Sequence, residues 1–162
     1  MSAIDDYLAR NAEYALTHVG GQPVEPGQHV AVVACMDSRM RIFPMRGMTG
    51  GEAHVIRNAG GVVTDDVIRS LAISQRLLGT REIMLIHHTD CGLAKTTEDE
   101  FKGAIEAETG IRPPWAVEAF TDAAADVRQS IGRLKASPFI PHKDMIRGFV
   151  FDVATGKLSE VV

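Results

Sequence analysis

The chain has 162 residues, of which 45% are hydrophobic and 23% are charged, and these values are typical of one globular domain. They exclude a disordered, collagen-like or coiled-coil protein. The net charge of −4 gives no support to binding of nucleic-acid phosphates, and no apolar stretch approaches the roughly 20 residues that cross a bilayer. The two cysteines, Cys35 and Cys91, are fewer than a small secreted disulfide scaffold usually carries.

An amphipathic helix is predicted over residues 2–18. Ser2 is a suitable residue to begin this helix, and Gly20-Gly21 ends it. Apolar side chains recur at helical spacing: Ile4, Tyr7, Leu8, Ala12 and Leu16. Such a helix needs an apolar surface, and in a small domain a partner subunit can provide it. We therefore expect residues 1–20 to form an N-terminal arm.

The first residues are acidic and contain no apolar run, so they match neither a secretory signal nor a basic transit peptide. We expect a cytoplasmic protein with no nucleic-acid or membrane partner. In a reducing compartment, two thiols are more often free, catalytic or metal-bound than joined in a disulfide.

Buried strands are predicted at residues 29–35 and 82–87, because both runs are continuously apolar, and a weaker strand is predicted at 53–57. A helix is predicted between the strands at 53–57 and 82–87. It runs from the N-cap Thr64 to Leu78, and Gly79 ends it.

The second half of the chain predicts a long helix after Pro113-Pro114, ended by Ser137-Pro138. A strand over 146–153 follows, and residues 158–162 can return as a hairpin. Alternating helices and strands indicate an α/β fold with a mainly parallel sheet flanked by helices. We expect a single domain over 1–162 with its α/β core at 29–153.

Candidate metal ligands follow two of the predicted strands. Cys35 ends the first strand, and His88 and Cys91, three residues apart, follow the strand that ends near His87. Ligands bind beyond the carboxyl ends of parallel strands, so these residues are expected to meet there. Two cysteines and one histidine form a set that zinc favours, and three protein ligands leave a fourth position open for catalysis. Asp37 and Arg39, close to Cys35, can form an ion pair.

Each residue also has an ordinary structural interpretation. Cys35 and Cys91 can be buried apolar thiols, or a disulfide after oxidation and loss of a metal. Asp37 and Arg39 can be an ion pair that ties a loop, and Asp90 suits a turn. A thioredoxin-like redox role has poor support, because the chain has no Cys-x-x-Cys.

Three sequence blocks together resemble the β-class carbonic anhydrases, in their compact prokaryotic form. They are Cys35-Met-Asp-Ser-Arg39, Arg57-Asn-Ala-Gly-Gly61 and His88-Thr-Asp-Cys-Gly92. The resemblance extends from about residue 29 to residue 153. It implies reversible hydration of carbon dioxide to bicarbonate and a proton, by attack of a zinc-bound hydroxide.

The resemblance also implies roles for individual residues. Cys35, His88 and Cys91 would bind one zinc ion per chain, and Asp37 and Arg39 would form a catalytic dyad. The loop from Arg57 to Gly61 would line and support the site. The implied assembly is a homodimer or a dimer of dimers, in which the N-terminal helix packs on the neighbouring subunit.

The residues leave two alternative functions open. One is hydrolysis of carbonyl sulfide or carbon disulfide on the same scaffold, and the other is a non-catalytic zinc or bicarbonate-sensing module. A closed state is a further hypothesis, in which Asp37 leaves Arg39 and becomes the fourth zinc ligand at lower pH. His54 and His87 are candidate proton shuttles.

Overall fold

A five-stranded sheet forms the centre of the computed structural model, which describes residues 2–45 and 47–162. The strands are β1 Val30–Cys35, β2 Ala53–Asn58, β3 Glu82–His88, β4 Ile146–Phe151 and β5 Leu158–Val161. Their order is β2-β1-β3-β4-β5, with the first four parallel and β5 antiparallel to β4. The predicted α/β class with a mainly parallel sheet is confirmed.

Five α-helices accompany the sheet in the described part of the chain. They are α1 Ala3–Ala15, α2 Ile42–Met45, α3 Asp65–Leu77, α4 Glu98–Thr109 and α5 Ala123–Ala136. Ser2 and Thr64 cap α1 and α3 as expected, each accepting a hydrogen bond from a backbone N–H of the first turn. No helix of the described residues has both the length and the apolar character needed to cross a membrane.

The helix expected directly after Pro113-Pro114 begins at Ala123, nine residues after Pro114, so that prediction is wrong at its start. Asp122 caps α5 by accepting hydrogen bonds from the N–H groups of Ala124 and Ala125. Glu118 has a positive φ of 58°, which no right-handed helix accommodates. Phe120 is nevertheless buried, from the loop before α5.

Helix α4 has no counterpart among the predicted elements. It carries a capping box, in which Thr97 and Glu100 satisfy each other's backbone N–H groups. Its side chains are exposed or half-buried, so its apolar stripe is too weak to reveal the helix. The Thr-x-x-Glu pattern is therefore the sequence signal that could have found it.

Both faces of the central strands are buried, which explains the apolar runs of β1 and β3. Alternate residues of β1, such as Ala31 and Val33, pack in one cluster with Leu71 of α3 and Leu134 of α5. The opposite face packs in a second cluster with side chains from connecting segments: Met40, Ile42, Val62 and Phe120.

Helix α1 stands apart from this core. All thirteen of its residues are exposed, and Ile4, Tyr7 and Leu8 each keep about two thirds of their surface accessible. Met1, the first residue of the predicted arm, lies outside the described residues. Packing of α1 on a partner subunit stays a prediction.

The register of the sheet brings the ends of β1 and β3 side by side. Ala34 pairs with Ile86 across these strands, so Cys35 and His88 project from the same carboxyl edge. On the other side of β1, Cys35 pairs with Asn58 of β2. Three neighbouring strand ends therefore converge on one region of the molecule, where α/β proteins bind ligands.

Candidate metal centre

Three buried side chains meet at the carboxyl edge of the sheet. The ligand atoms of Cys35, His88 and Cys91 all lie within 4.8 Å of one another, and this group can hold one metal ion. The exposed fractions of these residues are 4%, 1% and 3%. The structure thus brings together the three predicted ligands.

The hydrogen bonds of His88 leave one ring nitrogen free to bind a metal. Nδ1 lies 2.8 Å from the carbonyl oxygen of Thr89. Because a carbonyl only accepts, Nδ1 carries the hydrogen, and a neutral ring then has its lone pair on Nε2. Nε2 is buried and has no hydrogen-bond partner among the described residues. A buried acceptor of this kind is costly unless a partner such as a metal satisfies it.

The two thiols also fit a metal. Both cysteines are free and buried, and burial raises the pKa of the Cys91 thiol, with the nearby Cys35 adding to this effect. A bound cation reverses this preference by stabilising the thiolate. Two thiolates and one imidazole are typical ligands of zinc, which is the metal that these residues fit best.

Asp37 lies beside this group and is held by Arg39. The Arg39 Nη2 donates to Asp37 Oδ2 at 2.7 Å, and Nε and the backbone N–H donate to Oδ1 at 3.0 and 2.9 Å. These bonds hold the pKa of Asp37 well below its ordinary value. Its Oδ2 is also 3.8 Å from Nε2 of His88, so an ionised carboxylate lies at the edge of the metal group.

Asp90 is a further neighbour of this pair, which the sequence alone does not reveal. Its φ of 55° agrees with the expected turn. Its carboxylate also binds Arg39 Nη1 at 2.8 Å and Lys95 Nζ at 2.6 Å. The hydrogen bond to Lys95, followed by that to Arg39, lowers the pKa of Asp90 to about 2. The sequence carried no signal for these contacts beyond the position of Asp90 next to Cys91.

The end of β2 braces the first ligand. Arg57 donates from Nε to the carbonyl oxygen of Cys35 at 2.9 Å and from Nη2 to that of Asp37 at 2.7 Å. The backbone N–H of Met36 donates to the carbonyl oxygen of Asn58 at 2.7 Å. The backbone on both sides of Cys35 is thereby fixed relative to β2.

Gly61 presses against the ends of β1 and β3 in a left-handed conformation, with φ of 71°. A Cβ atom there would lie 2.8 Å from the Cys35 nitrogen and 3.0 Å from the Ile86 carbonyl oxygen. These are backbone atoms of packed strands, which cannot move aside cheaply.

Gly61→Ala is therefore expected to lower the free energy of unfolding by roughly 2–4 kcal/mol, from backbone strain and overpacking together. Urea denaturation measures this loss. Gly110→Ala is the matched control, because Gly110 has φ of 74° but nothing within 4 Å of an added Cβ. Equal losses in the two variants would show that close packing at Gly61 contributes nothing.

The two candidate proton shuttles are not supported by their positions. His87 is fully buried, with Nε2 2.6 Å from Asp126 Oδ2, so its ring does not reach solvent. His54 pairs with Ala31, four residues before Cys35, which is about 13 Å along a strand. Its Nδ1 bonds Ser74 Oγ instead.

A mainly apolar cleft of about 480 Å³ is lined by residues that neighbour two of the metal ligands. It reaches Gly92, next to Cys91, and Asn58, the register partner of Cys35. Its apolar wall includes Val62, Leu93, Phe101, Trp115 and Val117. The cleft offers a small apolar molecule a place close to the ligands.

Fold and site together define an α/β metalloprotein with a two-cysteine, one-histidine centre at the carboxyl edge of a parallel sheet. The family model described as carbonic anhydrase matches residues 30–116, which contain all three ligands. The chain belongs to the carbonic anhydrase family, and its similarities place it in the β-class.

Similar proteins and solved structures support this assignment. Beta-carbonic anhydrase 1 of Mycobacterium tuberculosis is 62% identical over 161 residues, covering 99% of each chain. The crystal structure of a carbonic anhydrase from Streptococcus mutans is 43% identical, with a TM-score of 0.94 and coverage of 100% of this chain and 99% of that one. A carbon disulfide hydrolase of Saccharolobus solfataricus is 33% identical, over 97% of this chain and 88% of that protein.

Proposed function

We propose that the protein catalyses the reversible hydration of carbon dioxide to bicarbonate and a proton, with one zinc ion held by Cys35, His88 and Cys91. The observation that carries this proposal is the convergence of three buried ligands beside an ion-paired Asp37. The 62% identity to beta-carbonic anhydrase 1 over nearly the full chain supports the same activity.

Zinc, when bound, supplies a hydroxide nucleophile near neutral pH by lowering the pKa of water from 15.7 to about 7. The residues of the chain must orient that water. Asp37 is ionised and can only accept, so it would accept a hydrogen bond from the nucleophilic oxygen and orient the lone pair of that oxygen towards the substrate carbon. The two thiolates cancel the formal charge of zinc, which makes this orientation more important than at a centre of three histidines.

Arg39 keeps Asp37 available for that hydrogen bond. Its fork occupies both carboxylate oxygens, and it neutralises the charge that would otherwise draw the carboxylate onto the metal. We therefore assign Asp37 as the catalytic acceptor and Arg39 as the residue that positions it.

The substrate fits the apolar cleft beside the centre, because carbon dioxide is small and apolar. Carbon disulfide and carbonyl sulfide share these properties, and proteins named carbon disulfide hydrolase are among the relatives. Hydrolysis of these two molecules is therefore the second candidate function. The higher identity to beta-carbonic anhydrase 1 favours carbon dioxide.

A stopped-flow hydration assay across pH, with zinc measured in the same sample, tests the proposal. We expect turnover in proportion to bound zinc. Parallel assays with carbonyl sulfide and carbon disulfide are expected to give lower rates. Faster hydrolysis of either molecule would assign the second function. Negligible turnover of all three would favour a sensing module, which the intact pair of Asp37 and Arg39 argues against.

We also propose that Asp37 closes the site at low pH by leaving Arg39 and binding zinc. Hydroxide competes better for the metal as pH rises, so the closed form is expected on the acid side of the activity profile. Crystal structures of the zinc-loaded protein at low and high pH should show different fourth ligands. The same fourth ligand at both pH values would contradict the switch.

The assembly we propose is a homodimer, with pairing into a dimer of dimers as a further step, and a single domain in each chain. Residues 1–20 form the arm and 29–153 the core. Support comes from α1, whose apolar side chains are exposed in the isolated chain. Sedimentation analysis tests the assembly, and a monomer at micromolar concentration would refute it.

A cytoplasmic location is also proposed, because the free thiols of Cys35 and Cys91 suit a reducing compartment.

A further inference from the structure

We propose that Asp90 is a positioning residue, which holds Arg39 so that Arg39 in turn keeps Asp37 off the metal. This inference rests on the proposed zinc-dependent activity. It also rests on the proposed closed state, and it assigns to Asp90 and its partner Lys95 a part in the balance between Asp37 on Arg39 and Asp37 on the metal.

The guanidinium of Arg39 lies between two aspartates. Asp37 takes one edge of it, bonded to Nε and Nη2. Asp90 takes the next edge, where Nη1 donates to its Oδ2 at 2.8 Å and Nη2 to its carbonyl oxygen at 3.0 Å. With both edges occupied, the plane of the guanidinium is fixed.

Without Asp90, that plane would be poorly determined. The Arg39 side chain is 45% exposed, so water could take the place of the Asp90 carboxylate at its guanidinium. An arginine side chain loses conformational entropy when it is held in an exposed ion pair. An ion pair with one carboxylate therefore gives little net stabilisation. Asp90 removes that freedom by holding the far edge of the guanidinium.

Asp90 is itself held in place. Its left-handed backbone turns its carbonyl oxygen and its carboxylate towards the same guanidinium. Lys95, in the 3₁₀ turn after Cys91, binds the second carboxylate oxygen at 2.6 Å. The chain of contacts Lys95, Asp90, Arg39 and Asp37 thus joins the loop after β3 to the loop after β1.

The consequence concerns the balance between two positions of Asp37, on Arg39 or on the metal. A fixed Arg39 favours the first position, so loss of Asp90 should favour the second. Asp90→Asn is a mild test, because asparagine keeps the size of the side chain and tolerates a positive φ.

We expect Asp90→Asn to move the midpoint of the pH–activity profile up by about half a pH unit, in line with the small energies of exposed ion pairs. The rate at high pH should be retained, because Asp37 itself is intact. Lys95→Met should move the midpoint in the same direction by a smaller amount. Asp99→Asn is the matched control, since Asp99 on α4 pairs with Arg112, and this variant should leave the profile unchanged.

A second measurement does not depend on turnover. The visible spectrum of the cobalt-substituted protein, titrated with pH and without substrate, reports the change of fourth ligand. Its midpoint should move upward in Asp90→Asn as the activity midpoint does. An unchanged or lowered midpoint, or a lower rate at high pH with the midpoint unmoved, would overturn the role of Asp90. If the wild-type protein were inactive, the proposed function would fail, and the cobalt titration would still decide on Asp90.

Discussion

A chain in which Cys91 is replaced by serine is expected to retain its fold and to lose both zinc and hydration activity. Serine has nearly the shape of cysteine, but its hydroxyl stays protonated and is a poor zinc ligand. Cys35 and His88 alone would fill only two of the four coordination positions of zinc, and water would have to fill the others. Metal analysis after gel filtration and the stopped-flow assay measure the two losses.

Cys35→Ser provides the comparison, because Cys35 lies at the end of β1 and Cys91 lies in the loop after β3. The same double loss in both variants, with unchanged circular dichroism, would assign it to the missing thiolate and not to damage in one loop. One equivalent of zinc retained in either variant would contradict the ligand set.

Replacing Asp37 by asparagine is expected to keep zinc bound and to reduce the hydration rate by roughly 10²- to 10³-fold, a usual range for loss of a proton acceptor. The amide is uncharged and presents an N–H₂ group where Arg39 already donates, so the fork that orients the side chain is lost. Zinc content and kcat, measured on the same sample, separate this outcome from metal loss.

Arg39→Ala is expected to act in the same direction, because Asp37 is then free to move onto the metal. The ion pair of Asp66 and Arg69 on α3 supplies matched controls, since both side chains are well exposed and pair with each other. Asp66→Asn and Arg69→Ala should leave turnover unchanged. Near-normal turnover in Asp37→Asn or Arg39→Ala would refute the assigned roles.

Features written in local patterns could be predicted from the sequence. Each such pattern involves residues close together in the chain. Examples are the apolar runs of β1 and β3, the helix caps Ser2 and Thr64, and the positions of the metal ligands. The parallel sheet then brings the ligands together, because strand ends of one direction share an edge.

Features that depend on three-dimensional neighbours could not be predicted in this way. Asp90 and Arg39 are 51 positions apart in the sequence, and no local pattern near either residue indicates their hydrogen bond. The start of α5 was misplaced because Glu118 takes a left-handed backbone that its residue type does not require. The sequence shows Gly61 in the Arg57–Gly61 block, but it does not show that the ends of β1 and β3 pack against this glycine.

The metal ligands, Asp37 and Arg39 all lie within residues 35–91, whereas much of the cleft wall comes from later residues such as Phe101 and Trp115. The groups that hold and flank the metal are therefore encoded in one stretch of the chain, and most of the approach to them in the stretch that follows. A change in the later stretch can reshape access while every group that holds the metal stays in place.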